Sequence, residues 1–115
     1  MAALAATIPT LAGTTSTGAA VAASDTIAQS VMGPNGATLE IINNGAGTDT
    51  ITISDNGLTP GGNALPSNTY TVTVANAGAS KVFKLTNAQV NPSTNLITIT
   101  HTVTASVTYK LYPVG

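Results

Sequence analysis

Ile97-Thr98-Ile99-Thr100-His101-Thr102-Val103, followed after Thr104-Ala105-Ser106 by Val107-Thr108-Tyr109-Lys110-Leu111-Tyr112, is the stretch that decides the fold. Apolar side chains recur at every second position, with Thr between them in the first run and Thr, Lys and Tyr in the second. A period of two is the mark of a strand with one buried and one wet face, whereas a helix would repeat every three to four residues. Thr104-Ala105-Ser106 is short enough for a hairpin, and strands joined by such short links are largely antiparallel.

The same alternation continues towards the N-terminus. Lys81–Thr86 places Phe83 and Leu85 inward, with Val82 and Lys84 on the other side. Tyr70, Val72 and Val74 alternate with Thr69, Thr71 and Thr73, and Thr48–Ser54 sends Ile51 and Ile53 inward. Ala37–Asn43 does the same with Leu39 and Ile41, and Thr26–Met32 is a further strand ended by Gly33-Pro34-Asn35-Gly36. Asn43–Gly47 has the length of a hairpin connection, Ala75–Ser80 and Asn91–Asn95 are turns, and Leu58–Asn68 is a long loop. Turns at such spacing, with no amphipathic stretch of helical period, indicate an all-β chain: a small antiparallel β-sandwich of about seven strands. Its expected core is Leu39, Ile41, Ile51, Ile53, Tyr70, Val72, Val74, Phe83, Leu85, Ile97, Ile99, Val103, Val107, Tyr109 and Leu111.

The first residues differ. Ala2–Ala23 is rich in Ala, Thr and Gly and shows neither period. The expected organisation is an extended N-terminal arm over residues 1–24 and a sandwich domain over 25–115. A secretory signal cleaved near Ala23 is the weaker reading, because no Lys or Arg precedes Lys81 and Pro9, Gly13 and Gly18 interrupt the apolar run. No stretch approaches the ~20 apolar residues of a membrane-spanning helix. A sandwich complete without its arm is expected to stay folded when Met1–Ala23 is deleted.

Composition narrows the function. Of 115 residues 43% are apolar and only 6% charged, with three Lys or Arg, four Asp or Glu and a net charge of -1. A typical soluble domain carries about 25% charged residues. Twenty-one Thr and ten Asn fill the polar quota. Three Lys cannot form a phosphate-binding patch, so nucleic acid is not an expected partner. A near-neutral exterior resists self-association poorly, which suggests a surface covered in the working state.

Chemistry-bearing residues are few. The chain has no Cys and one His, which leaves no transition-metal site and no thiol nucleophile. Asp25, Glu40, Asp49 and Asp55 are read as solvated carboxylates in turns or on outer faces. Asp49 and Asp55 flank one strand roughly 20 Å long at ~3.3 Å per residue, too far apart for a glycosidase pair. His101 is in phase with Ile97 and Ile99 and is read as a structural histidine at the core edge. Ser54-Asp55-Asn56-Gly57 lacks the later acid of a calcium loop, and Gly45-Ala46-Gly47 precedes a strand, not a phosphate-binding helix. No catalytic residue, cofactor or metal is expected. All four acids lie in residues 1–80 and all three Lys beyond, read as cross-strand pairing of Glu40 with Lys84 or Lys110.

The order of these motifs carries a resemblance. It runs from Asn35-Gly36-Ala37-Thr38-Leu39-Glu40-Ile41 through Asp49-Thr50-Ile51-Thr52-Ile53 and Tyr70-Thr71-Val72-Thr73-Val74. It continues with Ala77-Gly78-Ala79-Ser80-Lys81-Val82-Phe83 and ends in the two strands quoted first. Over about residues 33–115 this resembles the small β-sandwich decoration (minor capsid, cement) proteins of tailed bacteriophages. The resemblance implies binding to the major capsid protein on the outside of an icosahedral shell, stabilising it against internal DNA pressure. It also implies a homo-oligomer, with a trimer at a local three-fold position as one arrangement, and no catalytic residues. Leu4, Ile8, Pro9 and Leu11 of the arm are the expected partner-binding side chains. The alternative is a carbohydrate- or surface-binding module of a phage fibre or a secreted bacterial protein.

Overall fold

The computed structural model describes residues 2–8, 10–13, 18–55 and 69–115. Among them are nine strands: β1 (Ala2–Ala3), β2 (Ala19–Ala20), β3 (Ser24–Ala28), β4 (Ala37–Asn43), β5 (Asp49–Ser54), β6 (Thr69–Val74), β7 (Ala79–Leu85), β8 (Leu96–His101) and β9 (Val107–Pro113). They form two packed sheets, in the orders β1-β3-β8-β5-β6 and β2-β9-β4-β7. Every pairing is antiparallel except β1 with β3. The seven expected strands are present as β3–β9. The first is shorter than expected: it stops at Ala28, and a 3-10 helix, Gln29–Val31, takes the chain to a buried Met32.

Of the expected core, Tyr70, Val72, Phe83 and Val103 are half-buried against it and the rest are buried, so alternation assigned each strand its inner face correctly. Leu4, Val21, Ile27, Met32, Ala37 and Val90 complete the core.

The links behave differently from the expectation of hairpins. Asn43–Gly47 carries the chain from β4 in one sheet to β5 in the other, and Thr104–Ser106 carries it from β8 across to β9. A few residues span the ~10 Å between packed sheets as readily as they close a hairpin. Asn43 selects the crossing. Its buried side chain accepts from Gly45 N–H at 3.0 Å and donates to Gly47 C=O at 2.8 Å and Val74 C=O at 3.2 Å. The amide thereby bends the link and ties it to the end of β6. Among the described strands only β5 and β6 are consecutive neighbours within one sheet. The expected loop Leu58–Asn68 between them lies outside the described residues.

The turn Gly33–Gly36 shows where glycine is required. Gly36 has φ +93°, and a Cβ there would stand 2.1 Å from Leu85 C=O. Gly36→Ala is therefore expected to destabilise by about 3 kcal/mol, combining left-handed strain with a backbone clash. A urea midpoint unchanged from wild type would refute that.

The N-terminal segment departs most from expectation. It is not an arm separate from the domain: Ala2 and Ala3 pair with Asp25 and Thr26 on the edge of the first sheet, and Leu4 N–H donates to Thr26 C=O at 2.8 Å. The chain then crosses to the second sheet, where Ala5 N–H donates to the Tyr109 hydroxyl at 2.9 Å and Thr7 N–H to Leu111 C=O at 2.7 Å. It returns through β2, whose Ala19 and Ala20 pair with Tyr109 and Thr108. The segment laces one open side of the sandwich, with Leu4 and Val21 filling the gap between the sheet edges. Strands of two residues are too short to display an alternation, so no period betrays them.

Candidate functional site

The side chains expected to bind a partner separate into distinct environments. Leu4 is 4% exposed and belongs to this chain's own core, so it is corrected from partner contact to packing residue. Its neighbours Ala3 and Ala5 are small, and their backbone bonds to β3 and Tyr109 draw it inward. Ile8 is 64% exposed and Leu11 110% exposed. Leu11 sits on a turn closed by Gly13 N–H to Thr10 C=O at 3.0 Å and by the Thr10 hydroxyl donating to Gly13 C=O at 3.0 Å. Pro9 lies outside the described residues. With Val82, Ile8 and Leu11 are the large apolar side chains that stand in solvent among the described residues.

A second constellation was not anticipated. Asp25 and Asp49, expected in solvent, are fully buried on either side of His101. The reason is phase. Asp49 shares the parity of Ile51 and Ile53, and Asp25 that of Ile27, so the alternation that turns those isoleucines inward turns the carboxylates inward too. The antiparallel order β3-β8-β5 then brings the start of β3, the end of β8 and the start of β5 together.

Asp49 Oδ2 lies 2.6 Å from His101 Nδ1, and an ionised carboxylate only accepts, so Nδ1 carries the hydrogen. Asp49 Oδ1 accepts from Thr102 N–H at 3.0 Å and Val103 N–H at 3.1 Å. Asp25 Oδ2 accepts from Ala22 N–H at 3.0 Å and stands 3.9 Å from His101 Nε2. Asp25 Oδ1 and His101 Nε2 are buried without a hydrogen-bond partner. The carboxylates face opposite nitrogens of one ring. Among the described residues no group of three or more His, Cys, Asp or Glu is arranged to hold a metal ion. The cluster joins three strand ends and the root of the N-terminal segment, and its side chains touch no solvent.

Elsewhere, the Tyr70 hydroxyl accepts from the Gln89 amide at 2.8 Å. Burial raises the Tyr70 phenol above its ordinary range, the Gln89 bond opposes that shift, and the Asp55 carboxylate adds to it. A shallow open hollow bounded by Ala28, Gln29, Ser30, Thr94, Asn95 and Leu96 is lined by no ionisable side chain. Glu40 stands directly opposite Lys110 in the register of β4 and β9, on the outer face, with Val82 opposite on its other side.

Comparison with family models, with curated proteins and with solved structures finds no match for this chain.

Proposed function

We propose that this chain is a structural virion protein that decorates and stabilises the outside of an icosahedral phage capsid by binding the major capsid protein as a homo-oligomer. What supports the reading is a pair of exposed apolar side chains: Ile8 stands in solvent next to Thr7, which is hydrogen-bonded to Leu111, and Leu11 stands in solvent on the turn closed between Thr10 and Gly13. Exposed apolar anchors on a preorganised support suit insertion into a neighbouring protein, because little entropy is lost on docking. The near-neutral exterior agrees with a part that works while covered. Many copies on one shell also make a modest contact per copy strong, since each engagement raises the effective concentration of the next.

The test is co-sedimentation of the purified chain with capsids of the phage that encodes it. Ile8→Ser with Leu11→Ser is expected to leave stability within about 0.5 kcal/mol, because both side chains are largely exposed to solvent. Shell occupancy is expected to fall at least tenfold. Full occupancy by the double variant would remove the anchor. Absence of the wild-type chain from purified virions, with measurable glycan binding, would replace the reading with that of an adhesive β-sandwich module.

A further inference from the structure

The seven charged side chains are distributed unevenly over the sandwich. Asp25 and Asp49 are inside. Glu40, Lys84 and Lys110 occupy the outer face of the β2-β9-β4-β7 sheet, Lys81 lies on its edge strand β7, and Asp55 is half-buried just past the end of β5. Among the described residues the outer face of the other sheet carries no charged side chain. Its register aligns Thr100 with Thr52 and Thr52 with Thr71, and Thr50 with Thr73, giving rows of hydroxyls and methyls across β8, β5 and β6.

We infer that this Thr face is the one that lies against the shell, with the charged sheet turned to solvent. The inference rests on the proposed virion role and adds the orientation. Its occupant is an uncharged protein surface that presents backbone and amide hydrogen-bonding groups. Interface cores are depleted in Lys, Glu and Asp because buried charges lose hydration that few contacts restore. Threonine avoids that cost and, stiff at χ1, loses little rotamer freedom when covered. The opposite face has the charges that keep an exposed surface soluble.

The area agrees with an auxiliary anchor. Four strands ~4.8 Å apart and about six residues long at ~3.3 Å span roughly 19 by 20 Å, or about 400 Å². That is half of the ~800 Å² per partner of a stable interface. Attachment through this face therefore needs the Ile8–Leu11 projection or adjoining copies as well.

The experiment places single lysines on each face and measures occupancy on purified shells. Thr52→Lys, Thr71→Lys and Thr100→Lys are expected to lower occupancy at least tenfold, and Thr38→Lys and Thr108→Lys to stay within twofold of wild type. Hydrogen exchange of the unaltered chain, free against shell-bound, covers the case of a variant that fails to fold. Slowing across β5, β6 and β8 supports the orientation, and slowing confined to β4, β7 and β9 overturns it. Wild-type occupancy by the Thr-face variants overturns it as well. Failure of the wild-type chain to bind shells is a different result, which removes the virion role itself.

Discussion

Asp49→Ala is expected to lower the unfolding free energy by about 3–5 kcal/mol, because several donors lose one acceptor at once and each buried one left unsatisfied costs about 1–3 kcal/mol. Four donors bond this carboxylate: His101 Nδ1–H, Thr102 N–H, the Thr102 hydroxyl at 3.5 Å and Val103 N–H. With Ala in its place all of them lose this acceptor, and no solvent reaches the ring to replace it. A domain of this size has about 5–15 kcal/mol in total, so the variant is expected near its unfolding threshold at room temperature. Asp25 provides the contrast. It accepts one backbone hydrogen bond, and its other oxygen and the facing Nε2 are both unsatisfied. In Asp25→Asn the amide has both a donor and an acceptor to present to Nε2, so the substitution is expected to be neutral or stabilising by about 1 kcal/mol. Asp49→Asn, which turns donors towards donors, is expected to cost about 2–3 kcal/mol. Because the chain has no Trp, far-ultraviolet circular dichroism against urea is the suitable measurement. Equal midpoints for Asp25→Asn and Asp49→Asn would contradict this account of the cluster.

Removing residues 1–21 is expected to destabilise the sandwich by about 4–6 kcal/mol and to make it aggregate. Two buried side chains, Leu4 and Val21, go with the segment, each worth about 1.5–3 kcal/mol of burial. The Tyr109 hydroxyl loses its bond from Ala5, and the backbone edges of β3 and β9 are uncovered. Bare edges pair with other chains. Leu4→Ala alone is expected to cost about 2–3 kcal/mol, which separates core filling from edge protection. The expectation from sequence that the truncated domain keeps its fold is thus reversed. A truncated chain that unfolds cooperatively at the wild-type midpoint would restore it. The projection at Ile8 and Leu11 must accordingly be tested by substitution, since deletion confounds attachment with folding.

The strands and their inner faces could be read from the sequence because each is five to seven residues long and alternation is local. The neighbours of each strand could not. Asn43–Gly47 and Thr104–Ser106 have hairpin lengths, and only the buried Asn43 amide, bound to Val74 on a strand thirty-one residues away, directs the first of them across the sandwich. The Asp25–His101–Asp49 cluster was within reach. Extending the parity of Ile51 to Asp49 and of Ile27 to Asp25 places three ionisable groups inside, and the single His then identifies their meeting point. What sequence could not supply is their adjacency, which needs the order β3-β8-β5. Leu4 misled for a different reason: an isolated leucine among alanines has no period, and its burial follows from hydrogen bonds of its neighbours' backbones to β3 and Tyr109.

The role on a shell is tested most directly by electron cryo-microscopy of the intact particle that encodes this chain. The expected result is sandwich-shaped density outside the shell, in fixed ratio to the major capsid protein. The outward Thr of β5, β6 and β8 should lie against the lattice, Ile8 and Leu11 should enter a neighbouring subunit, and Glu40 and Lys110 should face solvent. A bare shell exterior, with the chain missing from the particle's protein composition, would contradict it.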